Sequence, residues 1–192
     1  MYKYIAIILL SLIIPNTYTV LPDSSSIEWI GSKVGGSHNG FISISSGEVT
    51  LEDNKVKSSQ INVDMNTMTN VDVKSEGSRN YLLNHLKSDD FFGVKKFPSS
   101  NIAFIQFDED STNTILTCDI TIKGITNRVK FPVEITVNKD TAIATGTLTI
   151  DRTKHNIKYK SKTFFKDIGD RFIYDDFNLN FKIFAQLNKE EK

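Results

Sequence analysis

The stretch VKFPVEITV constrains the fold most: Val129, Phe131, Val133, Ile135 and Val137 share one side of an extended strand, and Lys130, Pro132, Glu134 and Thr136 share the other. Successive strand side chains point to opposite faces, so this alternation means one dry face and one wet face. FNLNFKIFAQL repeats it, with Phe177, Leu179, Phe181, Ile183, Ala185 and Leu187 against Asn178, Asn180, Lys182 and Gln186; only Phe184 is out of step. A single dry face per strand is typical of antiparallel sheets. Further strand candidates are SIEWIGSK, GFISI, GEVTLE, KSSQINVDM, NIAFIQF, ILTCDITIK and AIATGTLTID, separated by turn signals at SSG, EDNK, DEDSTN, KGITN and VNKD. Many short strands at regular spacing predict a sandwich or barrel. NIAFIQF has Ile102 and Phe104 on one face and Ala103, Ile105 and Phe107 on the other, which predicts a strand covered on both sides.

One segment abandons the two-residue period. In SEGSRNYLLNHLKSDD, Ser78 suits an N-cap, and Tyr81, Leu82, His85 and Leu86 recur at helical spacing. The spacing predicts one short helix from Arg79 to Lys87, a natural lid for a sheet face or a barrel end. Carboxylates in a last turn would face the negative end of the helix dipole. Asp89 and Asp90 are therefore expected just beyond the helix, accepting hydrogen bonds from loop backbone. The His85 ring is expected on the helix surface near Tyr81.

Lys plus Arg and Asp plus Glu each number 23, a formal net charge of zero. That balance argues against wrapping nucleic acid or coating an anionic membrane through overall charge. The start, MYKYIAIILLSLIIPNTYTV, has Lys3 followed by an apolar run over residues 5–14. The run matches a signal-peptide core and is too short to span a bilayer. The sequence therefore predicts a signal peptide over residues 1–19, cut near Thr19, and one domain over 20–192, periplasmic or extracellular. Cys118 is the sole cysteine, so no intrachain disulfide can form, and its alternating context predicts a small buried hydrophobe.

Catalytic signals are weak. His38, His85 and His155 show no metal-ligand spacing, and neither a nucleophile elbow nor a phosphate-binding glycine loop is present. No cofactor is expected. GGSHNG, residues 35–40, suits a flexible turn. Asp175 and Asp176 precede a strand and could mimic paired glycosidase carboxylates, but adjacent strand residues point to opposite faces and would not both reach one substrate, so they read as a turn before the strand. Lys95, Lys96, Lys123, Arg128, Arg152 and Lys154 cluster near turns; if several share a barrel end they could hold an anionic headgroup.

Three stretches resemble the YceI-like family of exported, polyisoprenoid-binding, lipocalin-like bacterial proteins. HLKSDDFFGVKKFP is similar to its helix-to-strand run at His85, Leu86, Ser88, Asp90, Phe91, Phe92, Lys96 and Pro98. LTCDITIKGITNRV resembles its strand–turn–strand segment at Leu116, Thr117, Ile122, Lys123, Gly124, Thr126 and Val129, and GTLTIDRTKHNI its late hairpin at Gly146, Asp151, Arg152 and Ile157. The chain departs from the family pattern at Gly93, where an acidic residue is common, at Cys118, where glycine is common, and at Ile102, where an aromatic is common. The resemblance implies an all-β fold: an extended eight-stranded antiparallel lipocalin-like barrel with one short helix near an end. It also implies an apolar lumen for an isoprenoid-type or other long-chain lipid, serving transport, storage or stress protection.

On this reading Leu82, Leu86, Phe91 and Phe92 close one end of the lumen, and Phe104, Phe131 and Phe181 line it. No nucleic acid is expected as a partner, membrane contact is transient at most, and a homodimer stays open. Two other classes remain: an enzyme acting on a small apolar substrate in the same lumen, and a protein-interaction module.

Overall fold

In the computed structural model, which describes residues 15–109 and 114–189, pairing begins at β1 (Asn16–Val20). There follow β2 (Ser26–Lys33), β3 (Gly36–Glu52), β4 (Lys55–Asp64), α1 (Glu76–Lys87), β5 (Ser99–Glu109), β6 (Thr114–Ile122), β7 (Ile125–Asn138), β8 (Thr141–Asp151) and β9 (Ile173–Leu187). Every pairing is antiparallel, and β2 joins β9 on one side to β3 on the other, so the sheet closes on itself. β1 occupies the same gap lower down, pairing residues 48–51 of β3 and 185–187 of β9. A 3-10 turn, Pro22–Ser24, separates these two pieces of one stave. Nine strand segments thus make a closed eight-stave barrel with one helix, the architecture the resemblance implied and one of the two the alternation allowed.

The alternating faces sort as expected. Phe131 and Val133 are buried, while Lys130, Pro132 and Glu134 are exposed. Phe131 meets Phe181 edge-on at 5.8 Å inside the barrel, a geometry aromatic quadrupoles favour. Gly146 sits opposite Phe181, and a Cβ there would come within 2.7 Å of that ring, so glycine makes the room for it.

Several details differ from the sequence reading. NIAFIQF is not covered on both sides: Ile105 is 43% exposed. A bulge between Phe104 and Gln106 inserts one residue, so Phe104 opposes Cys118 and Phe107 opposes Leu116, and both rings turn to the core side. GFISI and GEVTLE are one strand, because the SSG between them forms a bulge inside β3 instead of a turn. GGSHNG is mostly strand as well, with Gly35 alone at positive φ, +80°.

The helix starts three residues earlier than expected, with Ser75 at the N-cap and Glu76 placing negative charge in the first turn. Its inward face is Leu82, Leu83 and Leu86, whereas Tyr81 is 75% exposed. The cut expected near Thr19 falls within β1, whose Tyr18 and Val20 are buried; residues 5–14 lie outside the described residues. No described helix is long and apolar enough to cross a membrane.

Gly40 has a role the sequence reading missed. Residues 65–73 leave β4 and run along the upper half of β3, where the Thr69 amide donates to Phe41 O at 2.9 Å and Val71 to Asn39 O at 3.1 Å. A Cβ on Gly40 would lie 1.9 Å from Thr69 O, inside the backbone itself. The close approach also lets the Trp29 indole donate to Thr69 O at 3.0 Å. Gly40→Ala is expected to lower stability by about 3 kcal/mol, the cost of overpacking a site that cannot relax. Urea unfolding checks this, with Gly36→Ala, where nothing lies within 4 Å, as the comparison.

Candidate functional site

Closure leaves one inner surface, and it is not filled. A cavity of about 300 Å³ runs along the axis. It is lined by β9 residues from Ile173 to Ala185, alternating from Phe177 onward, and reaches Leu51, Val56 and Ala142 below. Twelve residue steps of about 3.3 Å make this wall about 40 Å long, or about 30 Å along the axis at a tilt of about 40°. The cavity is therefore long and narrow.

Six of the seven expected site residues line it: Leu82, Leu86, Phe91, Phe92, Phe131 and Phe181. Phe104 does not. It packs against the core and, with Lys55 and Phe107, borders a shallow depression toward the opposite end. Residues that sequence reasoning missed include Trp29, Met65, Met68 and Ile157. Trp29 follows Ile27 at strand spacing and could have been found that way; the methionines lie in an irregular segment with no period to read.

Helix α1 and the loop after it cover one side of the upper end. Backbone hydrogen bonds hold that loop, Phe92 N to Leu86 O at 3.1 Å, Gly93 N to Ser88 O at 2.8 Å and Val94 N to Lys87 O at 2.9 Å. Asp89 and Asp90 were expected to receive such bonds and do not. Asp89 accepts from Lys96 Nζ at 2.7 Å, and Asp90 lies 3.2 Å from His85 Nε2. The helix C-terminus supplies carbonyls that the loop amides can reach, so the carboxylates are left for cations. The Lys96 ammonium holds the exposed Asp89 carboxyl below the usual range. His85 stays part-exposed near Tyr81, as expected, and is held by further rings. It stacks edge-on against Tyr159 at 4.6 Å and Phe91 at 5.0 Å, with Tyr81 at 6.3 Å. Phe92 in turn meets Phe177 of β9 at 6.1 Å.

The other side of the upper end is framed by Arg152, which is buried. Its guanidinium donates to three carbonyls, Tyr174 O at 3.0 Å, Ile157 O at 2.9 Å and Ile173 O at 3.0 Å, and pairs with Asp175 at 3.2 Å. Burial lowers its pKa while Asp175 and Asp151 oppose that shift; a guanidinium stays charged regardless. Arg152 is thus committed to the chain and cannot serve a headgroup. Lys96, Lys123 and Arg128 are also engaged, with Asp89, the Asp89 carbonyl and Asp119. Among the described residues the titratable side chains that line the cavity are Lys33, His38, Cys118, Tyr174, Arg152 and Asp176, all but Cys118 toward this end. At the rim His38 Nδ1 lies 2.8 Å from Asp72; burial would raise the Asp72 carboxyl, but hydrogen bonds from His38, the Asn39 amide and Asn70 outweigh it and hold it low.

Deeper in, Cys118 faces the cavity, its thiol pushed up to about 11 first by burial and then by Asp119. It is protonated at neutral pH and is a poor nucleophile. No group of three His, Cys, Asp or Glu among the described residues could hold a metal.

A family model for the YceI-like domain matches residues 18–185. The chain belongs to the YceI-like family. A UPF0312 protein of Staphylococcus aureus (strain bovine RF122) is 42% identical over 84 residues, a match that spans 40% of this chain and only 46% of that curated relative's length. Among solved structures, Burkholderia cenocepacia BcnA superposes with a TM-score of 0.71 at 20% identity, covering 87% of this chain and 99% of that one. A polyisoprenoid binding domain from Saccharophagus degradans, implicated in plant cell wall breakdown, gives 0.63 at 10% identity, covering 89% and 98%. The Campylobacter jejuni YCEI protein gives 0.53 at 17% identity, covering 98% and 92%. At these identities the superpositions establish a shared fold.

His155 locks the frame of the upper end. It is buried in the turn after β8 and donates Nδ1–H to Ile125 O at 3.0 Å, tying that turn to the β6–β7 hairpin. Burial pushes its pKa below the ordinary 6.5, against the pull of the carbonyls it faces. The unfolded chain therefore binds a proton that the folded chain refuses, so His155's contribution is complete above pH 6.5 and falls as the pH drops below it. Thermal melting should show stability declining from pH 7 toward 5, and His155→Gln should flatten that part of the profile.

Proposed function

We propose that this protein holds one long apolar chain, isoprenoid or acyl, in the barrel lumen and acts as an exported carrier or sequestering protein. The observation that carries the reading is the shape and dryness of the cavity: long, narrow, apolar throughout its depth, with charged groups toward one end only. A chain buried there gains about 25 cal/mol for each Å2 of apolar surface removed from water. An enzyme on this barrel would need titratable groups converging on a substrate. Deep in the lumen stands a protonated thiol instead, and His85 packs between rings. The polyisoprenoid-binding domain of the same fold supports an isoprenoid class of ligand.

Export is part of the proposal and rests on Lys3 and the apolar run over residues 5–14. Burial of Tyr18 and Val20 moves the expected cut upstream, ahead of Asn16, since a cut at Thr19 would strip β1 from the barrel. N-terminal sequencing of protein recovered outside the cytoplasm should find Asn16 or an earlier residue first; recovery in the cytoplasm alone would refute export.

Lipid extraction and mass spectrometry of the purified protein should reveal a long-chain lipid. In titrations, affinity should rise by about fourfold for each methylene buried. Phe91→Ala with Phe92→Ala should weaken long chains more than short ones. Ala144→Trp, which fills the lumen, should abolish uptake of every length while the β-sheet circular dichroism persists. Flat chain-length dependence together with no copurifying lipid would refute the carrier reading. A turnover that disappears in His85→Ala would favour the enzyme.

A further inference from the structure

Beyond Ile157 the connection from β8 to β9 contributes no residue to the lumen wall, yet it is built in an unusual way. Residues 158–171, KYKSKTFFKDIGDR, contain Lys158, Lys160, Lys162, Lys166 and Arg171 against Asp167 and Asp170, a net charge of +3 in a chain that is neutral overall. Phe164 is 43% exposed and Phe165 51%. Exposed adjacent phenylalanines cost solvation and call for a partner when polar residues rim them.

The segment is anchored, so the exposure is not a consequence of looseness. Ser161 is fully buried, its carbonyl accepts the Phe165 amide at 2.9 Å, and Thr163 Oγ1 donates to Asp175 at 2.7 Å. Ile173 N donates to Lys160 O at 2.9 Å, joining the segment to the start of β9. Lysines lie over the rings: Lys158 Nζ is 4.9 Å from the Phe164 centroid and Lys162 Nζ 4.4 Å from Phe172. Several basic residues elsewhere pair with carboxylates, as in Lys55–Glu109, Lys96–Asp89 and Arg128–Asp119. Among the described residues none of the five cations of this segment does.

The surface is continuous with the lumen's charged end. Phe172 stacks edge-on against exposed Tyr174 at 5.1 Å, and Tyr174 lines the cavity together with Lys33, whose partner in the ladder is Ile173.

We propose that residues 158–174 dock the open end of the barrel on an anionic lipid bilayer. Phe164, Phe165 and Tyr174 enter the headgroup region, and the five unpaired cations meet lipid phosphates. Aromatic side chains favour that interface, and basic residues add attraction to negatively charged lipid. Charge complementarity selects this occupant: a neutral apolar partner would leave the five cations unmatched. The surface stands independently of what the lumen holds, because the experiment reads attachment and not uptake.

An environment-sensitive nitrobenzoxadiazole label on Phe165→Cys in the full chain reports the segment itself. Cys118 is buried, and burial pushes its thiol up to about 11, so it stays unlabelled. Vesicles of phosphatidylcholine with about one third phosphatidylglycerol should shift the label's emission to the blue, and high salt should reverse the shift. The same label on Ile105→Cys, near the opposite end, should stay at its aqueous wavelength. Lys162→Glu with Lys166→Glu should raise the lipid concentration at half-maximal shift at least about tenfold, with circular dichroism and melting temperature unchanged. An equal shift on pure phosphatidylcholine, an equal shift of both labels, or indifference to the charge reversals would each overturn the proposal. So would no shift on either vesicle, which would leave the patch to a protein partner.

Discussion

Closure of the sheet is the constraint on which everything else in this molecule depends. β9 pairs with β8 along residues 141–151 on one edge and with β2 and β1 on the other. A barrel has no free edge to satisfy or protect, and its strands acquire one inside and one outside. The alternation in β7 and β9 is then the only pattern compatible with a dry interior. The small β1 matters out of proportion to its length, since it completes the stave where β2 stops and adds Tyr18 and Val20 to the core.

A barrel that closed and packed fully would hold nothing. Here two irregular segments, residues 65–75 and the β8–β9 connection, take over the upper end, and irregular backbone must find its hydrogen bonds elsewhere. Arg152 supplies three of them from one buried guanidinium, and His155 and Gly40 fix the neighbouring contacts. The buried polar groups are therefore architectural. They hold the end of the lumen in shape without entering its chemistry, which leaves a greasy channel with a charged rim.

That division also explains the mixture in HLKSDDFF. The stretch offers an imidazole and two carboxylates beside two phenylalanines, and the polar groups spend themselves on one another and on Lys96. What reaches the lumen is Leu86, Phe91 and Phe92. Catalysis would require the reverse, with the imidazole turned inward and a second titratable group beside it.

Periodicity in the sequence wrote out the strands, most of their inward residues, one short helix and a choice between sandwich and barrel, because period two and period 3.6 are carried by neighbouring residues; the closed barrel was implied by the family resemblance. Tertiary structure decided what depends on a partner strand distant in sequence. The bulge at Ile105 brought Phe107 to the core side, because register against β6 sets which ring turns in, while Phe104, opposite Cys118, packs in the core without lining the lumen. Gly40 reads locally as a turn residue and is instead a place where Thr69 touches the backbone. Arg152 reads as one of several loop cations and is the buried clasp of the barrel's upper end. A local pattern states which side of a strand is dry; only the closed barrel brings together the backbones and charges that share one end of it.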